Sequence, residues 1–131
     1  MKSVSLTSFP AYLVLHMQRY VMEQGVLKKL DVSVAVPKIL DISGMRSKGR
    51  QPGEELYSDT HVTDEYLPDG KGRYQLLGFV SHVGSSMDTG HYIAYVRKLD
   101  RWVLFDDNIV GAVHRPPKDM GYLYFFERLD D

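Results

Sequence analysis

The chain contains no cysteine. That excludes disulfides, thiolate zinc sites and a cysteine nucleophile among its own residues. Long apolar runs are missing too; none approaches the ~20 residues a membrane-spanning helix requires, so no membrane partner is expected. The chain does not open on a basic segment leading into an apolar one, and no secretory leader is expected. Neither sign of charge prevails. Sixteen Lys and Arg stand against 17 Asp and Glu, for a formal net charge of −1. Such a balance argues against nucleic acid or an anionic membrane as the main partner. Helix signals are weak, and no internal repeat or low-complexity tract is present. What remains is an intracellular protein, expected in the cytoplasm and also the nucleus. Its 131 residues suffice for one core that buries roughly two-thirds of the unfolded surface.

What the chain does have is strand signal. "AYLVLHMQRY" (11–20) is rich in β-formers, and Pro10 marks the boundary before it. "KLDVSVAVP" (29–37) alternates, with Val32, Val34 and Val36 on one face and Asp31, Ser33 and Ala35 on the other, until Pro37 stops it. "ILDIS" (39–43) reads as a short edge strand. Further strands are expected at 73–83, 91–98, 101–107, 109–114 and 121–129, with short helices near 21–25 and 117–120. Between them, 44–72 mixes glycine, proline and charge with no sustained period. It is too long for an ordinary connection and is expected to be a flexible loop or an insertion point. The fold class is mainly β (α+β overall), built on an antiparallel sheet.

The chemistry concentrates in "GHYIAYVRKLDRWVLFDDN" (90–108). A loop of two residues (Leu99 and Asp100) or four (Lys98 to Arg101) pairs Arg97 with Trp102, Tyr95 with Leu104 and Ile93 with Asp106. Alternation then gathers His91, Ile93, Asp106 and Asn108 on one face, and Tyr92, Ala94, Phe105 and Asp107 on the other. His91 and Asp106 become diagonal neighbours ~7–8 Å apart by backbone, within reach of an imidazole meeting a carboxylate. A three-residue loop would flip the parity and bring Asp107 to His91. From these residues alone three readings stand. The aspartates end a strand and cap a turn beside an ordinary rim histidine; or the pair is a base and its orienter, half of a nucleophilic triad; or His82, His91 and an aspartate hold a metal, though their spacing fits no standard ligand pattern.

The surrounding residues resemble a known family. "YQLLGFVSHVGSSMDTGHYIAYV" followed by "RWVLFDDNIV" is similar to the histidine box of the ubiquitin-specific cysteine proteases, through Tyr74, Leu76, His82, Gly84, Gly90, His91, Tyr92, Trp102, Phe105, Asp106 and Asp107. "YLVLHMQRY", "KKLDVSVAVPKILDIS" and the closing "GYLYFFERL" resemble other strands of that domain, in the right order. Within the family, "KKLDVSVAVP", "LDIS", "QPGEEL" and "RPPKDMGYLYFFERL" look most like isopeptidase T, whose members act on free polyubiquitin and carry ubiquitin-associated modules where 44–72 lies here.

The resemblance implies that 1–131 is the C-terminal, palm part of a papain-like catalytic domain. It implies that His91 is the general base, that Asp106 orients it, and that Asp107 helps order groups around the oxyanion. Gly90 and Tyr92 would wall the scissile bond, and the loop from Gly84 to Thr89, with Met87 and Asp88, would cover the substrate tail. No cofactor and no metal are expected on these residues, since the zinc-bearing fingers of the family would lie, like its cysteine, on residues not present here. Ubiquitin or polyubiquitin and the missing N-terminal half of the catalytic domain are the implied partners. Because that half carries the cysteine, this chain alone is expected to be inactive. The rival expectation is a non-catalytic ubiquitin-binding or scaffold domain. His82 is expected to be structural. His16, His61 and His114 carry no motif, Trp102 opposite Arg97 reads as a packing pair, and Arg46, Lys48 and Arg50 read as solvated loop charges.

Overall fold

The structure, a computed structural model, describes residues 2–49, 52–53, 69–84 and 89–130. Its strands are β1 (Tyr12–His16), β2 (Tyr20–Glu23), β3 (Val26–Lys29), β4 (Ile39–Asp41), β5 (Arg73–Val83), β6 (His91–Lys98), β7 (Arg101–Asp106), β8 (Ile109–Val113) and β9 (Leu123–Arg128). The eleven residues of β5 make it long enough for three neighbours. β9 pairs along one edge, while β4 and then β6 pair in series along the other, all antiparallel. The sheet runs β1-β9-β5-β6-β7-β8, and β2-β3 form a separate two-stranded ribbon. Among the described residues no helix is long and apolar enough to cross a membrane.

One irregularity lets β5 fill the core. Its pairing with β9 shifts register between Leu76 and Gly78. The extra residue resets the alternation, so that Leu76 and Phe79 both face inward. There they join Phe9, Tyr74, Tyr95, Tyr124 and Phe126. Gly78 is required at the bulge, since a Cβ there would lie 2.6 Å from the Tyr95 carbonyl oxygen. Two of the buried tyrosines have their polar tips satisfied: Tyr74 donates to the Pro10 carbonyl at 2.6 Å, and Tyr124 donates to the Lys118 carbonyl while accepting from Gly121 N–H at 2.7 Å. The opposite face of the sheet is apolar as well. Val80, Ala94, Val96 and Phe125 line a depression of about 210 Å³ there, and Val14 (51%), Val110 (60%) and Phe125 (39%) stay exposed. An antiparallel sheet with a solvated face ordinarily carries polar residues on it. This face has the composition of one that is covered.

Three expected elements differ. Residues 11–20 do not make one strand, because the chain breaks after β1 and buries Arg19. Its guanidinium donates to the carbonyls of Gly121 (2.9 Å), Asp119 (2.8 Å) and Val32, tying three segments together. Residues 21–25 are not helical. They belong to the β2–β3 hairpin, closed by Gln24 and Gly25 at φ 50° and 76°, a turn whose positive φ values match the twist of the strands. Residues 30–37 form no strand either. Val34 and Val36 are half-buried while Ser33 and Ala35 are exposed, so the alternation describes the facing of an extended segment. Its backbone is tied to a loop, through Val34 N–H on Asp119 O at 3.0 Å, rather than to a ladder. The edge strand near 39–43 and a short helical turn near 117–120 form as expected, as β4 and a 3-10 turn at Lys118–Met120.

The described ends of 44–72 are tied down. A 3-10 turn at Ser43–Met45 follows an aspartate-capped bend in which Ser43 N–H donates to Asp41 at 2.9 Å. Arg46 is not a solvated charge. It pairs with the buried Asp69, lies 4.2 Å over the Phe9 ring, and Asp69 in turn accepts from Phe9 N–H at 2.8 Å. The expected flexibility falls on 50–51 and 54–68, together with Arg50 and His61, and these lie outside the described residues.

Candidate active site

The β6–β7 hairpin is closed by Leu99 and Asp100, at φ 48° and 64°, the two positive values of a two-residue turn. Arg97 therefore pairs with Trp102, Tyr95 with Leu104 and Ala94 with Phe105. That register puts Asp106 on the face of His91, Ile93 and Tyr95. The side chains meet: His91 Nε2 lies 3.0 Å from Asp106 Oδ1, with 49% and 28% of the two side chains exposed. Beneath them the Tyr95 hydroxyl is held above its ordinary pKa, first by burial and then by the charge of Asp106.

An imidazole whose Nε2–H donates to a carboxylate keeps its Nδ1 lone pair free, and the carboxylate steadies the ring when it takes a proton there. The pair can thus act as a base that removes a proton from a group approaching the rim. Asp107 sits apart. It lies in the exposed turn after β7, at φ 48°, because Asp106 pairs with Ile109 across the next hairpin.

His91 begins β6 opposite Val83, the last residue of β5. Just beyond them the two strands pinch at Gly84 and Gly90. A Cβ on Gly84 would lie 2.5 Å from the Thr89 carbonyl oxygen, and one on Gly90 only 1.9 Å from that of Val83. Both glycines also hold positive φ, 147° and 103°, so side chains are excluded on two grounds. Tyr92 is exposed but belongs to the other face, paired with His82, whose ring is 5.0 Å from its own. His82 is buried between Tyr92 and Tyr122. Since His82 and His91 project from opposite faces, a metal site holding both is not formed. Met87 and Asp88 lie outside the described residues.

Lys29 is a site residue that no sequence motif marks. Its ammonium donates to the Gly84 carbonyl at 2.8 Å and to that of His82 at 3.4 Å. Only its place at the end of an alternating segment could have suggested that it turns inward while Lys28 pairs with Glu23 outside, at 3.1 Å.

The sequence model of the ubiquitin carboxyl-terminal hydrolase family matches residues 2–126. Ubiquitin carboxyl-terminal hydrolase 14 of Arabidopsis thaliana is 31% identical over 256 aligned positions, covering 98% of this chain and 32% of the relative. Because the alignment is nearly twice the length of this chain, that relative carries inserted residues within the matched region. Ubiquitin carboxyl-terminal hydrolase 5 of Mus musculus is 42% identical over 83 residues, 63% of this chain and 10% of its own. Among solved structures, the SAGA Ubp8/Sgf11/Sus1/Sgf73 DUB module superposes with a TM-score of 0.68 at 28% identity, over 94% of this chain and 24% of that one. The same module bound to ubiquitin aldehyde gives 0.67 at 29% identity, over 90% and 24%. The chain thus spans about a third of the Arabidopsis relative and a quarter of these structures.

Proposed function

Because the chain belongs to the ubiquitin carboxyl-terminal hydrolase family, we propose that it is the base-bearing palm of a thiol-dependent deubiquitinase, completed by a cysteine-bearing segment that this sequence does not contain. The observation that carries the proposal is the 3.0 Å contact of His91 with Asp106 at a rim of side-chain-free backbone. In this reading His91 Nδ1 takes the proton of the incoming thiol, and the thiolate attacks the carbonyl carbon of ubiquitin's terminal glycine. His91 then returns the proton to the departing amine, breaking the amide bond and leaving a thioester. Water, deprotonated by the same ring, hydrolyses that thioester and restores the thiol. Asp106 holds the tautomer throughout. Gly84, Gly90 and Tyr92 border the path of the flat Gly-Gly tail, and Met87 and Asp88 are assigned to the loop over it. A role for Asp107 in ordering groups around the oxyanion rests on the family resemblance alone.

Ubiquitin as partner is supported by the Ubp8 modules solved with monoubiquitin and ubiquitin aldehyde. A cysteine-bearing half as partner is supported by the uncovered apolar face and by the length of the relatives. Free polyubiquitin as substrate, an insertion point within 44–72, and a cytoplasmic or nuclear setting that keeps the thiol reduced belong to the same proposal. The rival, a non-catalytic ubiquitin-binding domain, is favoured only by the missing cysteine. The two part on one experiment. Fused to, or mixed with, the cysteine-bearing segment of its own gene, the chain should cleave a fluorogenic ubiquitin amide, whereas alone it should not. A gene that encodes no such cysteine would leave the binding reading.

A further inference from the structure

We propose that Lys29 is a positioning residue for the rim that holds His91, acting through the Gly84 carbonyl. The starting point is where β9 ends. Along that edge of β5 the Val80 carbonyl accepts from Tyr122 N–H at 2.7 Å, and the paired residues stop at Val80 and Leu123. Alternate carbonyls of a strand point to the same side. Those of His82 and Gly84 therefore continue the row with, among the described residues, no strand beside them. Lys29 supplies the missing donors from the end of β3, at 3.4 and 2.8 Å.

The amine is built in rather than draped over the surface. The Lys29 side chain is 10% exposed, Asp31 lies 3.7 Å from its nitrogen, and the Tyr122 ring lies 5.8 Å from it. Among the described residues, the charged and titratable groups around it also include the buried His82, whose carbonyl it holds, Tyr20 opposite it in the ribbon, and Arg19, which lies over the same Tyr122 ring. The consequence passes across the pinch. Gly84 backbone is packed directly against Thr89 and Gly90, and Gly90 leads into His91. One ammonium thus joins the β2–β3 ribbon, which among the described residues has no ladder to the main sheet, to the backbone on which the base is mounted. Without it, the end of β5 is held, among the described residues, from the β6 side only.

Hydrogen exchange on this chain tests the positioning itself, and that measurement stands whether or not the chain is a hydrolase. In Lys29→Met, which keeps the apolar stem, amides of Val83, Gly84, Gly90 and His91 should exchange about ten-fold faster or more, as loss of a charge-assisted hydrogen bond implies. Amides of Phe79, Tyr124 and Phe126 should keep their protection. Lys29→Arg, still a donor, should keep most of the rim protection, and Asp31→Asn should leave it unchanged. Lys29→Gln, polar but too short to reach Gly84, is the second variant should the first fail to fold, and should show the same pattern. Unchanged rim amides in both variants, or equal acceleration of every amide, would overturn the proposal. The catalytic consequence rests on the function proposed above: in the completed enzyme Lys29→Met should lower kcat about ten-fold with KM for the ubiquitin substrate little changed. A completed wild-type enzyme with no turnover would defeat the functional reading and leave the exchange result intact. A loss confined to KM would overturn the positioning role.

Discussion

His91 and Asp106 meet at 3.0 Å because a two-residue turn of Leu99 and Asp100 fixes which face of β7 looks at β6. The contact is therefore a property of the hairpin register. A loop one residue longer would turn Asp106 away.

That turn is strained by its own residues. Leu99 and Asp100 hold left-handed backbone at φ 48° and 64°, which costs most side chains of the L series about 1 kcal/mol. Replacing them with Asn and Gly should raise stability by about 1 kcal/mol without moving the register. Thermal unfolding measures the gain, and nuclear Overhauser contacts between Tyr95 and Leu104 report the register. A loss of stability would mean that the turn is of another kind.

Asp69 should govern the acid limb of stability. The hydrogen bond from Arg46, set against the opposing cost of burial and helped by Phe9 N–H, holds its carboxyl below the ordinary value of 3.8. A depressed folded-state pKa contributes stability that is present above the unfolded value and is lost as pH falls through the folded one. Asp69→Asn should therefore unfold at lower urea than the wild type at pH 7, and the difference should shrink below about pH 4. An equal difference at pH 7 and pH 2 would rule out this source.

Arg19 is buried with three carbonyls and, among the described residues, no carboxylate. Arg19→Lys keeps the charge but cannot reproduce the fork, and should cost about 2–4 kcal/mol in urea unfolding. A cost below about 0.5 kcal/mol, the range of an ordinary surface substitution, would mean that the clamp is replaceable.

The uncovered sheet face should make the chain sticky. Sedimentation should show self-association that rises with concentration, and Val14→Glu with Phe125→Glu should reduce it while leaving the unfolding temperature nearly unchanged. A wild-type monomer at high concentration would show that the face needs no cover.

The features legible in the sequence were those set by local pattern. Runs of strand-forming residues marked β5 and β6 to the residue, and the short "KLDR" link gave the hairpin parity that joins His91 to Asp106. Illegible were the features decided by partners far along the chain. Alternation through Val34 and Val36 records which side is buried, and an extended segment tied to a loop produces the same record as a paired strand. Helix formers at Met22 and Glu23 hid a hairpin whose signal was the single Gly25. Arg46 looked like a solvated charge and Lys29 carried no signal, because Asp69 and Gly84, which hold them, lie 23 and 55 positions away.

The central claim is that Asp106, and not Asp107, holds His91 as the base. In the enzyme completed with its cysteine-bearing segment, turnover of a fluorogenic ubiquitin amide by His91, Asp106 and Asp107 variants tests it most directly. His91→Ala should lose several orders of magnitude. Asp106→Ala should be severe and Asp106→Asn milder, because an amide oxygen still accepts from Nε2–H and keeps the tautomer. Asp107→Ala, on its exposed turn, should lose less than Asp106→Ala. If Asp107→Ala were as crippling as His91→Ala while Asp106→Ala stayed active, the assignment of the orienting acid would be wrong.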